Sequence, residues 1–354
     1  MTSSQKLLSL AALLLLAACG GGGPDPIDNQ PDTCMFANPI AEGQDPWVVR
    51  SGDAWYLVQS KGREIWVYKT DKLNQPIKNA VRVWSAPASG WNAQNVWAPE
   101  LHLINGHWYI YYAAGQAGPP YIYQRSGVLE SVTTDPQGAY VDKGMLITSN
   151  TPQDPASNIW AIDLTVETIN GQLYGVWSGW EQNQATDATP QHLYIARMAN
   201  PWTIGTSRVK ISSPTESWEK GTELDLDEGP EFLEHNGSIF IIYSTRESWL
   251  PAYKLGQLKL TSAAADPLDP ASWVKSGPVF TGTSTVYGVG HASFTTSSDG
   301  TEDWIVYHSK IDAQPGWNRV IRTQKFGWNA DGSPSFGTPV PSGVEIDVPS
   351  GQCK

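Results

Sequence analysis

The sequence predicts an all-β fold, a closed ring of five small antiparallel sheets, and three observations carry that prediction. Only 16% of the 354 residues are charged, while Gly 33, Pro 26, Trp 17 and Tyr 14 interrupt nearly every stretch a long helix would need. A polar turn followed by an aromatic-rich strand recurs five times at near-equal spacing. Two cysteines, Cys34 and Cys353, stand at the two ends of the part expected to fold.

Taken in order, the chain opens on an address. Lys6 precedes the apolar run Leu7 to Ala18, which has the form of a secretory h-region and is too short to cross a bilayer. It ends in Leu16-Ala17-Ala18-Cys19, which looks like a bacterial lipobox. The expectation is a signal peptide over 1–18, a lipidated Cys19 as mature N-terminus, and a flexible tether over 19–33 that includes Gly20 to Gly23. The propeller domain is expected over 34–354. An exported lipoprotein, anchored on the periplasmic or cell-surface side, sits in an oxidising compartment. The two remaining cysteines then favour a Cys34–Cys353 disulfide, which requires the two ends of the fold to meet.

The net charge of -12 and pI near 4.9 exclude nucleic acid and anionic membrane surfaces as partners, since both need basic patches. The lipid anchor is the one membrane contact expected, and the chain is expected to act as a monomer. A neutral substrate fits better, because abundant Trp and Tyr can grip the apolar faces of sugars.

The recurring strands begin at Trp55, Trp108, Leu173, Ile239 and Trp304; the last three steps between them agree to within a single position, and the first is somewhat shorter. Asn105-Gly106, Asn170-Gly171, Asn236-Gly237 and Asp299-Gly300 precede four of them and are hairpin signals, so each copy is the second strand of a hairpin. A repeat of this length holds one small sheet, and five such sheets arranged radially make a five-bladed β-propeller. Sandwiches and barrels also use hairpins, but do not require near-equal spacing. Runs such as Ile65 to Tyr68 and His192 to Ala196 supply further strands, whose number per blade the sequence leaves open.

If the repeated strand is second in its blade, the strand before each turn lines the central channel. These inner strands start Asp45-Pro46-Trp47, Trp97-Ala98-Pro99-Glu100, Trp160-Ala161-Ile162-Asp163, Asp227-Glu228-Gly229-Pro230-Glu231 and Gly290-His291-Ala292-Ser293. Four carry a carboxylate and the fifth a histidine, and radial equivalence brings them to one end of the channel. Clustered carboxylates raise one another's pKa, so one can remain an acid while another is an ionised base. Such a pair performs glycoside hydrolysis, by inversion when the two are roughly 6.5 to 9.5 Å apart. Calcium binding is the competing chemistry, and it favours closely spaced ligands within one loop.

These motifs, with Ile162-Asp163, Gly290 to Phe294, Arg322 and Trp328 to Gly332, resemble glycoside hydrolase family 43 in family order, over about Asn38 to Val340. The resemblance implies a five-bladed propeller, with Asp45 as the general base, Glu228 as the general acid, and Asp163 orienting the acid and holding its pKa up. It implies that Arg322 contacts the sugar, with Arg319 as competitor for that role, and that His291 stands at a hydrated metal ion, commonly Ca²⁺. No organic cofactor is expected. Trp47, Trp97 and Trp160 border the expected pocket, where they either stack on sugar or simply pack.

Spacing separates the acidic residues. Asp45 and Asp163 stand at the same offset ahead of Trp55 and Leu173, and Glu228 stands one position further ahead of Ile239. Glu100 and Glu231 share a shorter offset from Trp108 and Ile239 and are expected to be structural or secondary. The expected activity is an inverting, exo-acting α-L-arabinofuranosidase on arabinan or arabinoxylan, because Gly290 to Phe294 and Trp328 to Pro334 resemble members of that type. β-Xylosidase and endo-arabinanase are the alternatives within the family. A non-catalytic cell-surface glycan-binding propeller is the alternative from another class, and it would not need all three carboxylates.

Overall fold

The computed structural model describes residues 34–353; the expected signal peptide, the Cys19 anchor and the tether lie outside the described residues. The described chain forms five antiparallel blade sheets and one two-stranded sheet. Blade 1 consists of Trp47–Ser51, Ala54–Lys61, Glu64–Thr70 and Val81–Ser85, and blade 2 of Gln94–Ile104, His107–Gly115, Arg125–Ser131 and Tyr140–Met145. Blade 3 has Ala161–Ile169, Gln172–Gly179 and His192–Asn200, with Thr203–Ile204 and Val209–Ser212 both paired to its third strand. Asp227–His235, Ser238–Thr245, Lys254–Leu260 and Trp273–Thr281 make blade 4. Tyr287–Thr296, Asp303–Lys310 and Arg319–Trp328 make the first three strands of blade 5.

The repeated strand is second in every blade, as the hairpin signals require. At Asn105-Gly106, Asn170-Gly171 and Asn236-Gly237 both turn residues have positive φ, between 49° and 81°, the backbone that a type I′ hairpin imposes and that Asn and Gly tolerate best. Apolar clusters fill each of the five blade junctions. Tyr56 and Val58 meet Leu101 and Trp108 at the first junction, Tyr111 and Val128 meet Leu164 and Trp177 at the second, and Ile169 and Tyr174 meet Ile241 at the third. Phe240 and Ile242 meet Val289 and Ile305 at the fourth, and Trp304 and Val306 meet Trp55 and Leu57 at the fifth. Burial of each such side chain stabilises the fold by roughly 1.5–3 kcal/mol, so the ring is held by face-to-face packing of sheets.

The N-terminal segment completes the last blade. Ala41–Glu42 pairs with Ile321 and Val320 as the outermost strand of blade 5. Asn38 anchors that strand from inside, donating to the Thr323 carbonyl at 2.8 Å and accepting from the Thr323 amide at 2.9 Å. Met35–Ala37 pairs with Glu345–Asp347, and Cys34 and Cys353 form a disulfide with Cα atoms 5.4 Å apart. The ends therefore meet, and the chain passes directly from this clasp to Asp45.

Candidate active site

The inner strands share one local distortion, and it builds the site. Register slips by a single position between Trp97 and Glu100, Ile162 and Thr165, Glu228 and Glu231, and Gly290 and Ser293. At each slip one residue is left-handed: Ala98 (φ 38), Asp163 (φ 53), Gly229 (φ 51) and His291 (φ 47). Asp45 (φ 47) holds the same conformation ahead of the first inner strand. Such bulges re-aim side chains, and Asp is among the few residues that tolerate this backbone. Gly229 is required by its neighbour as well: a Cβ there would lie 3.1 Å from His291 Nδ1.

The structure brings Asp45, Asp163, Glu228 and His291 together. Asp163 Oδ2 accepts from the Gly229 amide at 3.1 Å, the peptide that follows Glu228. His291 Nδ1 lies 3.4 Å from Asp45 Oδ1, and the His291 amide donates to Ser244 Oγ at 2.7 Å. Three residues from outside the inner strands complete the group. Tyr253 donates its hydroxyl to Glu228 Oε1 at 2.9 Å. Arg319 Nη1 pairs with Asp45 Oδ1 at 3.3 Å while its Nη2 donates to Gln44 Oε1 at 3.0 Å. His308 Nδ1 stands 3.1 Å from Asp45 Oδ1 and 3.2 Å from the Asp45 amide nitrogen, so its tautomer decides whether it gives a proton to the carboxylate or takes one from the amide.

These surroundings drive the carboxylates apart. Burial alone would raise Asp45, but the Arg319 guanidinium, His291 and His308 outweigh it and hold the group well below the usual carboxylate range. Burial pushes Glu228 up to about 7, with the Asp45 charge adding to the rise and the Tyr253 hydrogen bond opposing it. Asp163 is also raised to about 7, by burial and by the charges of Glu228 and Asp45, against His291. Burial lowers His308 to about 3, helped by Arg319, so its ring is neutral at pH 7. One ionised carboxylate and one that keeps its proton near neutrality are the requirements of paired acid and base chemistry.

Deeper along the same strands, Glu100 and Glu231 hydrogen-bond to each other and are raised well above the usual range, chiefly by burial. Glu100 Oε2 lies 2.9 Å from His102 Nε2, and Thr165 approaches Glu231 at 3.4 Å. The pair is buried on the inner strands of blades 2 and 4.

Three of the residues expected at the sugar are engaged elsewhere. Arg322 points away: its guanidinium donates to Ser309 Oγ at 2.7 Å, the Val340 carbonyl at 3.1 Å and Ser342 Oγ at 2.6 Å, and Arg319 is the arginine at the carboxylates. An odd step along one regular strand separates the two, which places them on opposite faces. Trp160 is only 3% exposed; it stacks on Trp180 with centroids 4.5 Å apart and donates Nε1 to the Tyr121 carbonyl at 2.8 Å. Trp47 is likewise taken up by packing, with its ring 4.3 Å from His102 and Nε1 bonded to the Leu101 carbonyl at 2.8 Å. Trp97 remains half-buried, edge-on to Tyr121 at 5.0 Å.

Protein groups alone do not complete a Ca²⁺ shell at His291. Calcium takes six to eight oxygen ligands, whereas no three His, Cys, Asp or Glu side chains converge as a ligand set among the described residues. The carboxylate nearest His291 is already paired with Arg319. A hydrated ion beside His291 would depend on water for most of its ligands, and no step below is routed through a metal.

The family model described as Glycosyl hydrolases family 43 matches residues 36–334. The chain belongs to glycosyl hydrolases family 43. Among its family 43 relatives, the extracellular exo-α-(1→5)-L-arabinofuranosidase of Streptomyces avermitilis is 38% identical over 324 residues, covering 87% of this chain and 64% of the relative. α-L-Arabinofuranosidase 43 of Humicola insolens is 36% identical over 318 residues, covering 86% and 63%. The chain thus spans less than two-thirds of these curated relatives' length. The crystal structure of α-L-arabinofuranosidase from Lactobacillus brevis superposes with a TM-score of 0.78 at 31% identity, covering 87% of this chain and 98% of that one. The five-bladed propeller read from the repeat is the fold of this family 43 chain.

Proposed function

We propose that the chain is an inverting, exo-acting α-L-arabinofuranosidase that removes terminal arabinofuranosyl residues from arabinan or arabinoxylan. The observation that carries the reading is the opposed state of two carboxylates in one group, Asp45 ionised beside Arg319 and Glu228 kept protonated toward pH 7 by burial. Asp45 takes a proton from the attacking water as general base, and Glu228 gives its proton to the leaving oxygen as general acid. Asp163 fixes the peptide after Glu228 through the Gly229 amide. It thereby orients the acid, while burial and the Asp45 charge hold the pKa up. The two relatives are both arabinofuranosidases, which supports the choice of sugar, and the Streptomyces avermitilis relative is extracellular, which supports export. Anchoring through a lipidated Cys19 belongs to the same proposal, and release of a Cys19→Ser variant from the membrane fraction tests it.

The deciding experiment compares aryl arabinofuranoside, aryl xyloside and linear arabinan as substrates and follows the first-formed sugar by proton NMR. Arabinose released from the arabinosides in the inverted anomeric form is expected. Faster xylose release, internal cleavage of arabinan, retention, or no release from any substrate each overturns the corresponding part of the reading. The same assay has a pH signature. kcat/KM is expected to fall about tenfold per pH unit above pH ~7, where the acid loses its proton. It should stay flat toward low pH through the ordinary carboxylate range, because Asp45 remains ionised there. A limb near pH 4 would contradict the role given to Asp45.

A further inference from the structure

Trp317 lies in the turn between Asp303–Lys310 and Arg319–Trp328 of blade 5 and is 58% exposed. A lone exposed aromatic needs no explanation, but this one is built in. Its ring meets Trp249, centroids 5.2 Å apart and planes at 44°. The Gly316 amide donates to the Trp249 carbonyl at 2.9 Å, and Lys310 Nζ donates to the Gly316 carbonyl at 2.6 Å. The first bond holds the turn against the loop after Ser238–Thr245 of blade 4, and the second braces the turn on its own hairpin.

The pair is tied to both halves of the carboxylate site. Trp317 stands just ahead of Arg319, whose guanidinium carbon lies 5.4 Å from the indole centroid while its nitrogen pairs with Asp45. Trp249 follows Ser248, whose side chain hydrogen-bonds to Glu228. Arg319 thus backs the indole while more than half of the Trp317 surface faces solvent at the edge of the site. An indole face offers negative charge density to the C–H face of a furanose or pyranose ring. We infer that Trp249 and Trp317 form a platform for the sugar on the leaving-group side of the scissile bond. The acid fixes the side: Glu228 protonates the leaving oxygen, and Trp249 directly follows Ser248, on the segment that carries both Ser248 and Tyr253 to Glu228. The inference rests on the hydrolase reading above and adds to it a subsite that recognises the neighbouring pentose ring of a polymer.

The test compares α-1,5-linked arabinotriose, which places a sugar on the platform, with α-L-arabinofuranosyl fluoride, which places none there. The ratio of kcat/KM for the triose to that for the fluoride is expected to fall about tenfold in Trp317→Ala, and to stay within about threefold of wild type in Trp317→Phe, which keeps a ring. Trp317→Ala with a wild-type ratio, in a protein that turns over both substrates, overturns the platform and leaves the hydrolase reading standing. Failure of the wild type on both substrates removes the hydrolase reading and the platform with it.

Discussion

Glu228→Gln is expected to lower hydrolysis of arabinotriose by roughly 10²–10⁴-fold, the contribution of one positioned general acid. The substitution suits the purpose because Gln keeps a carbonyl oxygen to accept from Tyr253, which now donates to Glu228 Oε1 at 2.9 Å, and fills the same buried volume. What it removes is the proton. The loss should therefore depend on the leaving group. Arabinofuranosyl fluoride, whose fluoride leaves without a proton from the enzyme, should retain far more of its rate than the triose. The alkaline fall in kcat/KM should vanish from whatever activity remains. Equal losses on both substrates would assign Glu228 to positioning and take the acid role from it.

The carboxylate set was legible because the repeat exposed it. Counting back by the same offset from Trp55, Trp108, Leu173 and Ile239 reaches Asp45, Ala98, Asp163 and Gly229, and these are the left-handed positions of the first four blades. His291 stands further ahead of Trp304 because the blade 5 hairpin is longer, and it occupies the same bulge. Glu228 is the residue before its bulge, which is why Gly follows it. Outer-strand residues carried no such signal. Tyr253 lies just ahead of the third strand of its blade and His308 within the second, though a lone His within the apolar Trp304 to Ser309 run marked a buried polar group in need of a reason. Arg319 and Arg322 differ only in the face they share with Asp45, and a single-position ambiguity in register reverses that face. Trp160 fails as a sugar-stacking residue because hairpin register sets it opposite Trp180, and that register was not read from the sequence. Strand counts and the closing strand Ala41–Glu42 are non-local.

Asp45→Asn is the complementary substitution, and its signature should be the opposite. Asn tolerates the left-handed backbone that Asp45 adopts at φ 47, so the turn into the first inner strand should survive. The amide can still accept one bond from Arg319 or His308, but it cannot take a proton from water. Loss of roughly 10²–10⁴-fold is expected on triose and fluoride alike, since both need the water activated. Added azide, a nucleophile that requires no base, should restore turnover of the fluoride and yield the azide of inverted configuration. The clasp makes a control available, because Asp45 lies directly after the Ala41–Glu42 closing strand. If Asp45→Asn instead loosened the ring, the thermal midpoint would drop sharply and azide would rescue nothing. Near-wild-type turnover without azide would end the assignment of Asp45 as base. Azide rescue confined to Asp45→Asn, and leaving-group dependence confined to Glu228→Gln, would divide the chemistry between the turn into the first inner strand and the inner strand of blade 4.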